Sequence, residues 1–442
     1  MNCSNPCQQG VTRGKVFLVC VLGAICFYAV LRVQMQKPIS LQAFLEAAKE
    51  YIPCRFSQSF YSSQQVEVTN VNMTVTERVD AEEKGEEARV DELTALLVQR
   101  LESIPDGNVS TARETCLRNN SATPCQPVVP CKRPLETRSP RERVRELITS
   151  SQYQPSVDQL ATVLSLTEHI PENEVIVASS CSSNHFNELQ AMFKNLHRTV
   201  FPKLNNFTMV LYDLGLTPQQ RKVTEATCNC TVVTFPFKKF SAHVSDLGCY
   251  AWKPIVMRAS IARARKLLVY QDSSIRWNTT FQRTWDRAMM YGQQAVLVHG
   301  VSFPGNTLKQ MFDYMNEEVC PFRVFEELQG GIQMISNDSL VTQAVLHPWL
   351  KCALEKTCMC PDTQQQIAFC FSNNLHRCHR FDQSAFNLIM AKLYGVDRDK
   401  WVIPPDHHSV SISRKDRDAK YLYVLKYGEE GYKNLTIEHS GE

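Results

Sequence analysis

The sequence predicts an α/β fold, a mostly parallel sheet flanked by helices, preceded by a membrane-length apolar segment and a polar stem. Three observations carry this expectation. From Glu174 onward, short β-branched runs alternate with helix-length amphipathic runs, the pattern of a parallel sheet with covering helices. One of those runs, Leu267-Leu268-Val269-Tyr270-Gln271, ends abruptly in Asp272-Ser273-Ser274 and then turns apolar again. A buried parallel strand presents a carboxylate in this way at its C-terminal edge, where α/β sheets bind ligands, although a lone carboxylate there could equally cap the next turn. The third observation is that Val16 to Leu31 is apolar apart from Cys20, Cys26, Tyr28 and small residues.

That apolar segment is flanked by Arg13 and Lys15 before and Arg32 and Lys37 after. A spanning helix needs about 20 residues, so 16–33 is a short span that relies on snorkelling basic flanks. It is long for the apolar core of a cleaved signal peptide, and no clear small-x-small cleavage site follows it, so a retained signal anchor is expected, with 1–15 as a cytoplasmic tail. The basic residues on the two sides nearly cancel and do not set orientation. N-x-S/T triplets do this better: they start at Asn72, Asn108, Asn119, Asn206, Asn229, Asn278, Asn337 and Asn434, all beyond the anchor, and suggest a lumenal C-terminal bulk. The expectation is a single-pass type II membrane protein of the Golgi, whose short span suits a thinner bilayer.

Composition narrows the partners. The 48 basic and 45 acidic residues leave a net charge of +3, with no basic block or aromatic-interleaved basic stripe, so nucleic acid is not expected as a partner. Of the 18 cysteines, ten (Cys181, Cys228, Cys230, Cys249, Cys320, Cys352, Cys358, Cys360, Cys370 and Cys378) fall in the globular region. An even number in a lumenal compartment points to disulfides. The cluster from Cys352 to Cys378, with His376 and His379, also invites a zinc reading, but it lacks paired C-x2-C knuckles.

Residues 34–140 read as a stem. Glu77 to Glu92 is dense in charge, and Cys116 to Pro134 is rich in Pro, Asn and Ser. Within it Val90, Leu93, Leu97, Leu101 and Ile104 recur at helical spacing, either as a helix packed on the main domain or as a coiled coil pairing two chains through the stem. The globular domain, 141–442, begins with helices over Arg141 to Ser150 and Val157 to Leu166. Strands are expected over Val175 to Ala178, Phe207 to Tyr212, Thr231 to Phe235, Leu267 to Tyr270, Ala295 to Val298 and Gly330 to Ile335, the last two extending the sheet. Helices fall between them, over Leu189 to Leu196, Pro218 to Ala226, Trp252 to Lys266 and Leu308 to Asn316.

No G-x-G-x-x-G follows the first strand, and there is neither a G-x4-G-K-S/T loop nor a G-x-S-x-G elbow. What remains is a set of polar groups at strand ends: Ser179 to Asn184, Asp213, Asp272, Gln329-Gly330-Gly331 and Asp382-Gln383. In order and spacing, these segments resemble the GT-A nucleotide-sugar glycosyltransferases, especially glycosyltransferase family 8 and uncharacterised membrane-anchored relatives, over about Glu174 to Ile403. Val175 to Asn184 looks like the family's first strand and nucleobase loop. Tyr250-Ala251-Trp252-Lys253-Pro254 and Val269-Tyr270-Gln271-Asp272-Ser273-Ser274 are similar to its sugar-nucleotide helix and metal strand. Leu328-Gln329-Gly330-Gly331-Ile332-Gln333-Met334-Ile335 resembles the acceptor-side strand, and Asp382-Gln383-Ser384-Ala385-Phe386-Asn387 a D-Q-x-x-x-N helix start.

The resemblance implies transfer of a sugar from a nucleotide-sugar donor to a glycan, glycoprotein or glycolipid, leaning towards retention of configuration. It implies donor contacts from Ser180, Asn184, Lys253, Gly330, Gly331 and Asn387, with Asp382 orienting a sugar hydroxyl and Gln383 beneath the reacting carbon. Arg258 is a second candidate cation, and Asp382 could instead be the N-cap of a helix Gln383 to Leu393. The departing diphosphate develops negative charge, which a divalent cation, Mn or Mg, would neutralise from Asp272 and from His407 or His408; those histidines could also be a surface turn. The chain departs from the family's D-x-D at its second acid, which is Ser274. Metal dependence and activity both hang on that change, and a catalytically inactive lumenal protein that binds glycans or partners is the rival expectation.

Overall fold

The computed structural model describes residues 75–105, 132–361, 378–404 and 407–438. The expected tail, the anchor and the stem up to residue 74 lie outside them. Among the described residues no helix is long and apolar enough to cross a membrane. The chain divides into two compact units, Met1–Glu83 and Lys84–Glu442, and the second holds the sheet.

Strand β1 (Asn173–Cys181) lies between β2 (Phe207–Asp213) and β4 (Ala264–Gln271), and β2 pairs onward with β3 (Thr231–Thr234); all these pairings are parallel. On the far side of β4 come β9 (Ile332–Ser336) and then β6 (Gln293–Gln294), both antiparallel to their neighbours, giving the order β3-β2-β1-β4-β9-β6. The sheet is mainly parallel, as its apolar runs imply. The antiparallel direction of β9 was beyond sequence patterning, because a strand buried on both faces reads the same in either direction.

Burial on both faces follows the two-residue alternation of strands. Ile176, Ala178, Val210, Tyr212, Leu268 and Tyr270 join one core, with the wholly buried helix Trp252–Ile261 over them. Val177, Met209, Leu211, Leu267 and Val269 join the other, under helix Phe186–Asn195. Several helices start where the sequence dictates. Ser139 with Glu142, Ser156 with Gln159 and Thr217 with Gln220 form capping boxes for Pro140–Thr149, Val157–Leu164 and Pro218–Thr227.

Two expected elements differ. The helix expected to reach Lys266 stops at Ile261, because β4 already pairs from Ala264 with Asn173. The strand expected over Ala295 to Val298 is split. Gln293–Gln294 pair with β9, Ala295 bridges Val402, and β7 (Leu297–Ser302) forms a separate antiparallel pair with β8 (Glu326–Leu328).

The leucine repeat in the stem belongs to helix Val75–Ser103, and from residue 85 its apolar side packs into the body. Leu93, Leu97 and Ile104 are part of the main core, while Arg141 pairs with Glu87 and Asp91, and Arg100 with Asp338. These side chains are spent within the chain, which leaves them no face for a coiled coil with a second copy.

Disulfides join Cys228 to Cys230, Cys352 to Cys358 and Cys249 to Cys360, and Cys320 and Cys378 are also disulfide-bonded. That chemistry takes up the thiolates of Cys352, Cys358, Cys360 and Cys378 that a zinc site would need, while Cys370 and His376 lie outside the described residues. His379 is buried with its pKa depressed to about 4 by desolvation, and its Nε2 lies 3.2 Å from the Met359 carbonyl. The linkage of Cys249 to Cys360 spans 111 residues, unlike the short-range pairs Cys228–Cys230 and Cys352–Cys358.

Leu97 is fully buried. Leu97→Ala should lower the unfolding free energy by about 2–5 kcal/mol, read from urea denaturation of the full-length protein; a loss near zero would detach this helix from the cooperative core.

Candidate active site

Sheet order places a crevice between the C-terminal ends of β1 and β4. The chain moves outward from β1 to β2 and β3, then returns to lay β4 on the other side of β1, and such switch points are where open α/β sheets bind ligands. A cavity of about 410 Å³ opens there, within the size range of small-molecule sites. Ser180, Ser182, Asn184 and Glu188 line it from β1 and the helix that follows, Lys253 and Tyr250 from the start of helix Trp252–Ile261, Asp272 and Ser274 from the end of β4, and Arg414 from the C-terminal segment.

Lys253 is the centre of the floor. Its Nζ lies 3.0 Å from Asp272 Oδ2 and 3.4 Å from Asp382 Oδ2. The side chains of Lys253 and Asp382 are each 5% exposed and that of Asp272 31%, so only Asp272 opens appreciably on the cavity. Burial alone would depress the ammonium pKa, but Asp272 and Asp382 outweigh it and raise the pKa above the usual lysine range. Burial pushes the Asp382 carboxyl up to about 6; Lys253 pulls it back and Asp272 adds to the rise. The second oxygen of Asp272 accepts from Tyr270 Oη at 3.2 Å, and the Asp272 amide donates to the Gly331 carbonyl at 2.7 Å.

The Gly330-Gly331 turn is glycine for a reason of space. A Cβ on Gly331 would stand 2.7 Å from Asp272 Oδ2, and one on Gly330 would stand 2.9 Å from Gln383 Cβ and 3.0 Å from Asp382 Oδ2. Two aromatic residues complete the enclosure, Tyr250 at φ 53° and Phe381 at φ 44°, with ring centroids 6.0 Å apart. Lys253 Nζ stands 4.9 Å from the centre of the Tyr250 ring, within cation–π range.

The sequence-derived residues therefore separate. Ser180, Asn184, Lys253 and Asp272 line the cavity, while Asp382 faces the lysine from outside the lining and Gly330, Gly331 and Gln383 pack beside the two carboxylates. Asp382 is not an N-cap: the helix runs Phe381–Tyr394 with Arg380 at its cap, and Asp382 sits one residue inside, facing Lys253. Asn387 is fully buried and engaged with main chain, donating to the Leu328 and Gln383 carbonyls and accepting from the Leu328 amide. It ties this helix to β8. Arg258 is buried beside His347 and does not line the cavity, since five residues along a helix from Lys253 turn it well away. His407 is also outside the lining; its carbonyl accepts from Thr284 Oγ1, and that of His408 from Asn278 Nδ2.

A divalent cation fits these residues poorly. Both Asp272 oxygens already have donors, one of them an ammonium, and Ser274 offers no charge. Among the described residues, the one group of three His, Cys, Asp or Glu side chains close enough to share an ion is Asp246, Cys249 and Cys360, of which the two cysteines form a disulfide.

Sequence reasoning passed over Arg414, hidden in the charged run Ser413 to Arg417, and Glu327. The latter is fully buried, with Arg380 Nη1 at 2.7 Å and Asn306 Nδ2 at 2.8 Å. Burial raises its carboxyl to about 7 even though Arg380, Asn306 and Gln383 counter the rise. A pair of glutamates directly before an apolar strand end, Glu326-Glu327-Leu328, was the available signal.

A family model described as "Protein of unknown function (DUF1647)" matches residues 154–258, from helix Val157–Leu164 to the helix that bears Lys253. No curated protein matches the chain. Solved structures similar to it include the galactosyltransferase LgtC with donor and acceptor sugar analogues, 11% identical over 60% of this chain and 95% of that one, TM-score 0.31. Core-mannan synthase A (CmsA/Ktr4) of Aspergillus fumigatus, in its Mn/GDP form, is 8% identical over 63% and 89%, TM-score 0.32. An active-site mutant of LgtC is 12% identical over 40% of this chain, which spans 59% of that one, TM-score 0.28. With likenesses this distant, the case for function rests on the cavity itself.

The buried acids and histidines set opposing pH dependences. Asp382 and Glu327 have folded pKa values above their ordinary ones, so the folded state takes up their protons first and gains stability as pH falls from about 7 to 5. His347 and His379, both held neutral by burial down to about 4, do the reverse below their ordinary value of 6.5. Glu327→Gln removes one stabilising member, so its Tm should fall further than wild type between pH 7 and pH 5; equal shifts would show that Glu327 is already ionised in the folded protein.

Proposed function

We propose that the protein is a glycosyltransferase that moves a sugar from a nucleotide-sugar donor to a glycan, glycoprotein or glycolipid acceptor, as a type II protein with its catalytic domain in the Golgi lumen. One observation carries the proposal: a buried ammonium bridging two carboxylates, at the floor of a polar cavity at the sheet's switch point, against a turn that excludes any Cβ. In the reaction the bond from anomeric carbon to phosphate oxygen breaks with its electron pair on the diphosphate. The acceptor oxygen forms the new bond and its proton leaves to the departing phosphate or a carboxylate. Lys253 is placed to meet the charge that develops on the diphosphate, and Asp272 and Asp382 hold it there. Ser180, Ser182 and Asn184 offer hydrogen bonds along the wall beyond. The lumenal setting is supported by the sequons, since Asn206, Asn229, Asn278, Asn337 and Asn434 are all exposed.

A second reading, a non-catalytic protein that binds glycans or partners in this cavity, is favoured by the fact that Asp272 already has donors on both oxygens.

The deciding experiment screens the purified full-length protein against nucleotide sugars for nucleotide release, with and without manganese. Asp272→Ala should cut release by about 100-fold or more, and Gly331→Ala should do likewise by pushing the carboxylate off Lys253. Release that survives both substitutions would discard this site. No release and no nucleotide binding with any donor would favour the non-catalytic reading.

A further inference from the structure

We infer that the cavity neutralises the diphosphate of its nucleotide with two side-chain cations, Lys253 and Arg414, in place of a divalent metal. The inference rests on the nucleotide-sugar reading above and concerns how that ligand is held.

The turn after β4 is the starting point. β5 (Ile275–Trp277) follows Asp272-Ser273-Ser274 directly and pairs antiparallel with β10 (Val410–Ile412). One residue beyond β10, the Ser413 amide donates to the Ser274 carbonyl at 2.7 Å. The residue that stands where a second carboxylate would be expected thus anchors the segment that carries Arg414. That anchoring brings the exposed Arg414 into the lining of the same cavity as Lys253 and Asp272.

The carboxylates that follow Arg414 in the chain are committed elsewhere. Asp416 pairs with Arg276 at 2.7 Å, Arg417 with Glu188 at 3.5 Å and Asp418 with Lys194 at 2.8 Å. No described carboxylate pairs with Arg414. A guanidinium presents a rigid fork of donors that matches two phosphate oxygens, and Lys253 supplies a point charge from below. A metal bound to Asp272 would have to stand beside the Lys253 ammonium, 3.0 Å from the same carboxylate, and two like charges at such range repel strongly in a partly buried site.

The test is calorimetric titration of the full-length protein with UDP and with GDP, in excess EDTA and again in millimolar manganese. The expected result is binding of one of them in EDTA, with an affinity that manganese changes by less than about twofold. Arg414→Ala, an exposed substitution, should weaken that binding about tenfold and flatten its salt dependence. Lys415→Ala, its neighbour, should do neither, and thermal melts would establish that both variants are folded. Binding that requires manganese, or that is indifferent to Arg414→Ala, overturns the inference while leaving the nucleotide-sugar reading in place. Absence of binding to either nucleotide under both conditions overturns both.

Discussion

A charged amine sealed inside a protein is tolerable only when its charge is answered. The Lys253 side chain is only 5% exposed, and removing both of its carboxylates would leave an uncompensated charge in the core, at a cost of about 3–5 kcal/mol. Much of the surrounding structure reads as the consequence. The helix that begins at Trp252 is buried along its whole length, so Lys253 cannot swing out, and its position near a helix N-terminus is itself unfavourable to a cation. Asp272 must therefore lie at the end of β4, Asp382 must lie in the first turn of the helix Phe381–Tyr394, and the Gly330-Gly331 turn must pass between them without a side chain.

The same arrangement brings the site's protonation close to neutral pH. Asp382, near 6, and Glu327, near 7, both neighbour Gln383, whose Cβ faces the glycine turn. As pH falls past the first value Lys253 is left with Asp272 as its main counter-charge, and the carboxylate that opens on the cavity is then held more tightly by the ammonium. The acids differ in what opposes burial: a lysine for Asp382, and an arginine with two carboxamides for Glu327.

The sheet was largely legible, because alternation and capping boxes are local properties of sequence. Strands β1 to β4 lie where apolar spacing puts them, and the capping boxes at Ser139, Ser156 and Thr217 mark three helix starts, although the helix before β4 ends five residues short of Lys266. Direction was not legible for β9, nor was the split around Ala295, since both depend on which neighbour a short apolar run meets. At the site, Lys253, Asp272, Gly331 and Asp382 could be singled out because each is a residue type that a strand end or helix start must justify. Arg414 could not. Its place comes from a backbone hydrogen bond between segments 139 positions apart in sequence (Ser274 to Ser413), and no local pattern marks such a contact.

The two left-handed aromatics are the sharpest evidence that this geometry is held against resistance. Left-handed backbone at a bulky residue costs on the order of 1–3 kcal/mol, and glycine would relieve it. Tyr250 and Phe381 both keep the conformation, touch each other, and stand three residues and one residue before Lys253 and Asp382. A glycine at either position would relax the bend but forfeit the ring: Tyr250 covers the ammonium with its π face, and Phe381 packs its ring near His379, 4.9 Å between centroids. The strain and the ring contacts act together. The bends bring the two helix starts together, and the two rings pack beside the buried Lys253–Asp382 pair, while Asp272 stays open to the cavity.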